Sequence, residues 1–189
     1  MKGAIFNQFL GWVDDQYGMV TTETLIDSVP LESGGAYTNV GIYDHHELLA
    51  LVDELSRRTK TSSAKLLYEF GRYAFAEMLK ISAKQFAKAR SVFAMLSMVD
   101  QHHHAEVAKL YPDAEVPRFK TSRPADDTLE LTYHSSRPFA DFAEGLIKGC
   151  IDHFGESIDL IREDSESGDD TYARFRLTVH QEGAVPCNT

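Results

Sequence analysis

The stretch TLELTYHSSRPFADFAEGLIKGCIDHF, residues 128–154, joins two patterns that decide the fold of this chain. Residues 128–137 alternate in character and are rich in β-formers, which is typical of a half-buried strand. Residues 138–154 are typical of a helix, and Pro138 suits its first turn. The stretch therefore predicts a strand that is followed directly by a helix.

The sequence on either side divides into a helical part and a strand-rich part. Before the stretch we predict five helices, which are a helix over 3–17, a short one capped by Thr21 or Thr22, one opening at Asp44, one capped by Thr61 or Ser62, and a long one from about Ser82 to about Tyr111. After it, residues 158–164 and 171–181 are predicted strands, separated by the acidic turn DSESGDD. The fold class is predicted to be α+β, with a helical N-terminal part and a C-terminal antiparallel β-sheet with an inserted helix.

Composition limits the classes of function. The formal net charge of −10 argues against nucleic acid as a partner and against an anionic membrane surface, because both require a basic face. Cys150 and Cys187 are too few for a disulfide framework or a cysteine zinc site, and they fit a reducing compartment. The apolar run 92–99 is far shorter than the ~20 residues that span a bilayer. We expect a soluble, cytoplasmic protein.

One face of the predicted strand changes from apolar to polar along its length. Alternation places five residues on it, namely Leu129, Leu131, Tyr133, Ser135 and Arg137. A guanidinium can grip a carboxylate with two parallel hydrogen bonds, and the phenol and the hydroxyl add neutral donors. This row suits a ligand with an apolar body and carboxylate ends, although an ordinary half-exposed strand explains the same spacing.

Three adjacent histidines occupy positions 102–104 in a predicted helix. Successive helical residues turn by ~100°, so a pocket on one side could not use all three. A helical wheel places His103 nearest the middle of the apolar stripe and His104 at its edge, while His102 points away. One buried, hydrogen-bonded histidine beside two solvated ones is the alternative to a ligand-binding role.

An ordered set of motifs resembles the H-NOX family, the haem–nitric oxide/oxygen binding domains, from end to end. The segments that carry the resemblance are MKGAIFN at the start, YEFGRYAF (68–75), HAEVAKLYPDAEVPRF (104–119), YHSSR (133–137) and FAEGLIKG (142–149). The last but one fits the family's Tyr-x-Ser-x-Arg pattern. The chain is identified on these motifs as similar to the stand-alone bacterial sensors of nitric oxide in that family.

The resemblance implies a haem b site, that is, bound iron protoporphyrin IX. The family's axial histidine stands eight residues before the Pro of a Tyr-Pro pair, and Tyr111-Pro112 places it at His104 rather than at His103. By the same comparison Tyr133, Ser135 and Arg137 would bind the haem propionates, and Pro117 would press on the porphyrin. The expected distal pocket is apolar and consists of Ile5, Ala74, Met78, Phe142 and Leu146. The implied fold buries the haem between the helical part and the sheet.

The same resemblance implies a gas sensor rather than an enzyme. Oxygen-binding relatives supply a distal tyrosine donor, and Phe142 stands at the matching position, so we expect selectivity for nitric oxide, weaker binding of CO and no stable O₂ complex. Nitric oxide would weaken the iron–His104 bond and let the haem relax. The change would signal to a separate partner, a histidine kinase or a diguanylate cyclase/phosphodiesterase.

Residues 1–189 are predicted to form a single H-NOX domain, with a distal helical part at 1–60 and a proximal part with the sheet at 61–189. Haem or NO storage and scavenging without signalling is the main alternative. A non-haem metal protein is a further alternative. Catalysis is disfavoured, because no motif ties His45, His46 or His134 to a pocket.

Overall fold

The computed structural model describes residues 1–81, 86–99, 117–167 and 170–180. The chain forms two compact units, one of residues 1–86 and 137–149 and one of residues 87–136 and 150–189. We call them the helical unit and the sheet unit. The principal helices are α1 (Gly3–Tyr17), α2 (Met19–Ser28), α3 (His45–Thr59), α4 (Ser63–Ile81) and α5 (Ala140–Phe154), and the strands are β1 (Arg118–Ala125), β2 (Thr128–Ser135), β3 (Ile158–Ser167) and β4 (Asp170–Val179). Residues 92–99 are also helical.

Local sequence explains where the first helices begin and end. Gly18 has a positive φ of 86°, a conformation that favours glycine, and its N–H bonds to the Asp14 carbonyl at the end of α1. Helix α2 begins at Met19, directly after Gly18, so the prediction that Thr21 or Thr22 caps it is wrong. The Thr21 hydroxyl instead donates to the carbonyl of Tyr17, one turn back.

Two side-chain caps start the next helices as predicted. The Asp44 carboxylate accepts a hydrogen bond from the backbone N–H of His46 and so begins α3. The Ser62 hydroxyl accepts from the N–H of Lys65 at 3.2 Å and begins α4. The predicted helix start near Ser82 and the predicted end near Tyr111 lie outside the described residues. The prediction of one continuous helix between them is wrong, because residues 87–91 are not helical.

The core of the helical unit is aromatic and aliphatic. Phe6, Phe9 and Phe70 are fully buried. The rings of Phe9 and Phe70 meet edge to face with centroids 5.3 Å apart, which joins α1 to α4. Leu48, together with three further aliphatic residues of α3, completes this core; the three are Leu51, Val52 and Leu55.

A buried carboxylate fixes the loop between α2 and α3. Glu47 is buried and accepts hydrogen bonds from the N–H of Ser33 at 3.2 Å and from the Tyr37 hydroxyl at 2.7 Å. Burial raises the pKa of Tyr37 above its ordinary value, and the hydrogen bond to Glu47 raises it further. A hydrogen bond with Ser33 partly opposes this shift. The phenol therefore stays protonated and donates to the carboxylate. The predicted loop over 31–42 is confirmed, and the hydrogen bonds to the Glu47 carboxylate hold it against α3.

The sheet has four antiparallel strands in the order β1-β2-β4-β3. The predicted strands at 128–137, 158–164 and 171–181 correspond to β2, β3 and β4. The edge strand β1 was not predicted. It contains Pro124, which lacks the N–H that a central strand needs, and an edge is where a sheet tolerates proline.

One face of the sheet forms the core of its unit. Leu129 and Leu131 of β2 are buried beside Phe175 and Leu177 of β4, their partners across the strands. The helix over 92–99 lies in this unit too, and the Glu156 carboxylate accepts a hydrogen bond from the N–H of Val92 at its start. Among the described residues, no helix combines the length and the apolar character needed to cross a membrane.

Candidate functional site

The polar end of β2 is buried on the same face as its leucines. Burial alternates strictly along β2, and Tyr133 and Ser135 are only 2% and 7% exposed. Tyr133 stands opposite Phe119 of β1, with the ring centroids 5.4 Å apart, and opposite Ala173 of β4. The predicted alternation is therefore confirmed from Leu129 to Ser135, and it brings a phenol and a hydroxyl to the inner face of the sheet. The prediction that Arg137 continues this strand face is wrong, because β2 ends at Ser135.

Pro117 belongs to the same unit and stands at the same end of β2. It is half-buried and immediately precedes Arg118, whose partner in the sheet is His134. The pairing places Pro117 at the Ser135 end of the strand. His104, the predicted axial ligand, lies outside the described residues.

Arg137 places a cation in the helical unit, two residues beyond the end of β2. Its Nε atom is buried and has no acceptor within hydrogen-bond distance among the described residues, although the residue has other interactions. Burial lowers the pKa of the Met1 amine below its ordinary value, and the charge of Arg137 lowers it further. The pKa of His45 is lowered by burial first, and then by the charges of His46 and Arg137. Arg137 therefore lies close enough to the Met1 amine and to His45 to disfavour their charged forms.

A second group of possible ligands stands at the start of α3. Ligand atoms of Asp44, His45 and His46 lie within 4.8 Å of one another. The Asp44 carboxylate is already used, because it caps the helix and lies 2.8 Å from Nδ1 of His46. The charge of Arg137 near His45 further disfavours a metal cation here. This cluster is explained by helix capping.

Helices α4 and α5 cross at glycines. A Cβ atom on Gly71 would collide with the carbonyl oxygen of Phe142 and lie 2.9 Å from the Cα atom of Gly145. A Cβ atom on Gly145 would collide with the carbonyl oxygen of Tyr68. Only glycine permits this approach, and it fixes the position of Phe142 against α4.

The five residues predicted to form a distal pocket all belong to the helical unit. Ala74 is fully buried, and Met78 is half-buried one turn further along α4. Ile5, Phe142 and Leu146 are partly buried and pack against the helical core. The ring of Phe142 lies 4.9 Å from the ring of Phe70, which in turn meets Phe9, one turn after Ile5. The helical unit therefore offers an apolar surface that is built from α1, α4 and α5.

These residues fit a haem by their chemistry. A porphyrin has a broad apolar body and two carboxylate tails. The apolar residues of the helical unit suit the body, and the phenol, hydroxyl and buried guanidinium N–H of Tyr133, Ser135 and Arg137 suit the tails. Each of these three groups is therefore of a type that donates hydrogen bonds to a carboxylate.

Comparison with known proteins agrees with this chemistry. The family model for haem–NO-binding domains matches residues 2–162. The crystal structure of an Fe(II) unliganded H-NOX protein from K. algicida is similar, with 32% identity, a TM-score of 0.86, and 96% of this chain and 98% of that chain covered. The solution structure of the IWP-051-bound H-NOX from Shewanella woodyi, in the Fe(II)CO ligation state, is also similar. It has 37% identity and a TM-score of 0.80, with 100% of this chain and 99% of that chain covered. No curated protein matches the chain.

A third solved structure is an oxygen-binding H-NOX domain related to soluble guanylate cyclases, in its oxygen complex. It has 25% identity and a TM-score of 0.84, with 96% of each chain covered. The fold and the site together define a haem-based gas-binding domain. The chain belongs to the H-NOX family, whose members bind haem and gaseous ligands such as NO, O₂ and CO.

Two features of the site were not predicted from the sequence. The crossing at Gly71 and Gly145 was missed, although each glycine stands inside a motif that carried the family resemblance. The proximity of Arg137 to the Met1 amine and to His45 was missed because the residues are far apart in sequence. A glycine inside a strong helical pattern was the signal available for the first.

Proposed function

We propose that this protein is a haem-based sensor selective for nitric oxide over oxygen, and that it signals to a separate partner protein. Phe142 carries the proposal. Bound O₂ is stabilised by a distal hydrogen-bond donor, whereas NO binds ferrous haem tightly without one. The phenylalanine ring has no donor, and neither do Ile5, Ala74, Met78 and Leu146.

Two tyrosine hydroxyls elsewhere in the helical unit already donate hydrogen bonds to carboxylates. The Tyr37 hydroxyl donates to Glu47, and the Tyr73 hydroxyl donates to Asp15 at 3.0 Å. These two phenols are therefore not available to replace the donor that Phe142 lacks.

In this proposal haem b supplies a ferrous iron that binds a diatomic gas. Tyr133, Ser135 and Arg137 hold the propionates by donating hydrogen bonds, and His104 is the protein ligand to the iron. Phe142 and its apolar neighbours exclude water and polar groups from the gas-binding side. Pro117 would pack against the porphyrin.

Signalling follows from a change in strain. His104 would hold the haem iron, and NO would weaken this bond, which would change the balance between two conformations of the protein. We propose a separate histidine kinase or diguanylate cyclase/phosphodiesterase as the partner, and a binding rather than a catalytic role for this chain. Two cysteines in 189 residues support a place in the reducing cytoplasm.

The decisive experiment is the ultraviolet–visible spectrum of the ferrous protein under argon, in air, with CO and with NO. We expect a five-coordinate spectrum that air leaves unchanged and that NO and CO shift. The same spectra of His104→Gly, with and without imidazole, identify the ligand, since imidazole is expected to restore the native spectrum. An unchanged spectrum in His104→Gly would assign the iron to His103 instead.

Storage or scavenging of NO remains the competing function, and it differs by its output. A sensor changes the activity of its cognate kinase or cyclase when NO is added, whereas a store does not. If NO changes neither the conformation of the protein nor the activity of that enzyme, the signalling proposal fails while the haem assignment stands.

A further inference from the structure

The outer face of the sheet carries a shallow groove that the haem chemistry does not use. The groove has a volume of about 600 Å³ and is lined by Arg118, Lys120, Ser122, Thr132, His134 and Tyr172. All six residues belong to β1, β2 and β4 of the sheet unit. They lie on the face opposite the buried Tyr133 and Ser135, because side chains alternate along a strand.

The groove residues follow two directions, one across the strands and one along β1. Arg118 pairs with His134 and His134 pairs with Tyr172, so these three form a row across the strands. Lys120 and Ser122 continue from Arg118 along the edge strand β1. Residues two apart on a strand are roughly 7 Å apart, so Arg118 and Lys120 present two cations at that spacing.

The charge of the groove differs from that of the chain. His134 lies 2.9 Å from Asp170, and Arg174, next to the groove, is paired with Glu163. Among the described residues, none forms an ion pair with Arg118 or Lys120, and both are exposed. Within the described part of this acidic chain, the groove therefore presents two cations without an ion pair beside the hydroxyls of Ser122, Thr132 and Tyr172, and the Asp170 carboxylate is bound to His134.

We infer that this groove binds an extended acidic segment of the partner protein. In an extended segment alternate side chains are also roughly 7 Å apart, so two carboxylates can meet Arg118 and Lys120 at once. The neighbouring hydroxyls donate to the remaining carboxylate oxygens. The rest of the chain is negatively charged and repels an acidic segment, so the segment is oriented toward this groove. The inference rests on the proposed signalling function, since it names the surface that meets the partner.

The experiment uses the full chain and a fluorescein-labelled peptide of six glutamates, with binding followed by fluorescence anisotropy at low and at physiological salt. We expect saturable binding at low salt that weakens as salt rises, because screening reduces contacts between exposed charges. The double variant Arg118→Glu/Lys120→Glu should weaken binding at least tenfold. A peptide of six glutamines should not bind.

The matched control is Lys88→Glu/Arg90→Glu, which makes the same change of charge at exposed residues of the sheet unit. It should leave binding within about twofold of the parent, allowing for the general loss of attraction. Equal losses in both double variants would overturn the inference, because the binding would then follow net charge only. If the reversed variant does not fold, Arg118→Gln/Lys120→Gln replaces it.

Two further outcomes would also overturn the inference. The first is absence of peptide binding at low salt. The second is binding of inorganic tripolyphosphate at the groove that excludes the peptide at a far lower concentration, which would make the groove a site for a small anion. Spectra with NO separate this inference from the proposed function, since both double variants should keep the parent's spectra whatever the peptide does.

Discussion

The backbone of Gly145 in α5 lies directly against the backbone carbonyl of Tyr68 in α4. The Cα atom of Gly71 is its next neighbour, and a Cβ atom on Gly145 would lie 2.9 Å from it. Contacts this close involve main-chain atoms, which cannot move aside as the end of a side chain can. The crossing therefore sets the distance between the helix that carries Ala74 and the helix that carries Phe142.

Gly145→Ala should destabilise the protein, because the added methyl group forces α4 and α5 apart. Overpacking of this kind costs about 1–3 kcal/mol, and denaturation in urea measures it. The control is Gly11→Ala in α1, where the nearest atom to a new Cβ is the Tyr73 hydroxyl at 3.9 Å. That variant should gain about 0.5–1 kcal/mol, because alanine favours a helix interior. Equal stability of the two variants would show that the crossing is not tight.

Phe142→Tyr should give the protein measurable affinity for oxygen. The new hydroxyl would stand among residues that offer no donor of their own, and a donor stabilises bound O₂. The measurement is the spectrum of the ferrous protein in air, compared with the spectrum under argon. Phe154→Tyr, at the far end of the same helix, adds the same hydroxyl outside the helical unit and should leave the air spectrum unchanged. If the spectrum of Phe142→Tyr in air equals its spectrum under argon, the new hydroxyl does not reach the bound gas.

Short-range signals predicted most of the fold. Asp44 and Ser62 cap helices because each hydroxyl or carboxylate meets N–H groups two or three residues away. The alternation of β2 follows from the same local geometry. These features depend on neighbours in the sequence, so the sequence alone reveals them.

Features that depend on distant partners were less accessible. Strand β1, RFKTSRPA, lacks regular apolar alternation, and it is a strand because Phe119 and Thr121 pair with Tyr133 and Leu131 of β2. The start of α2 was misplaced because Gly18 takes a positive φ and lets the helix begin at once. Arg137 lies near the Met1 amine and His45, which no local pattern connects to it.

Arg137→Gln should weaken haem retention without unfolding the protein. Loss of a hydrogen bond to a charged group costs about 1.5–3 kcal/mol, which corresponds to roughly 10- to 150-fold faster loss of haem. Transfer of haem to excess apomyoglobin measures the rate. Arg174→Gln is the matched control, because Arg174 is an exposed arginine of the outer sheet face paired with Glu163. Equal rates of haem loss from the two variants would show that Arg137 does not bind a propionate.

Cys150 should be unreactive in the native protein. It is fully buried in α5, and burial, with a smaller effect of Glu156, raises the pKa of its thiol to about 12. The thiolate is the reactive form, so a Cys187→Ser variant should not react with a disulfide reagent at pH 8 until urea is added. Rapid reaction without denaturant would contradict the burial of this residue.

The same shift predicts a loss of stability in alkali. Above pH ~9 the unfolded thiol releases its proton while the native thiol keeps it, so the free energy of unfolding should fall by about 1.4 kcal/mol per pH unit as the pH rises toward 12. The pKa values of Tyr37 and Tyr73 are also raised, the latter to about 12, and they add to the fall above pH ~10. Cys150→Ala isolates the thiol, because between pH 9 and 10 its stability should change less with pH than that of the parent. Equal slopes in that interval would show that the thiol titrates normally in the native state.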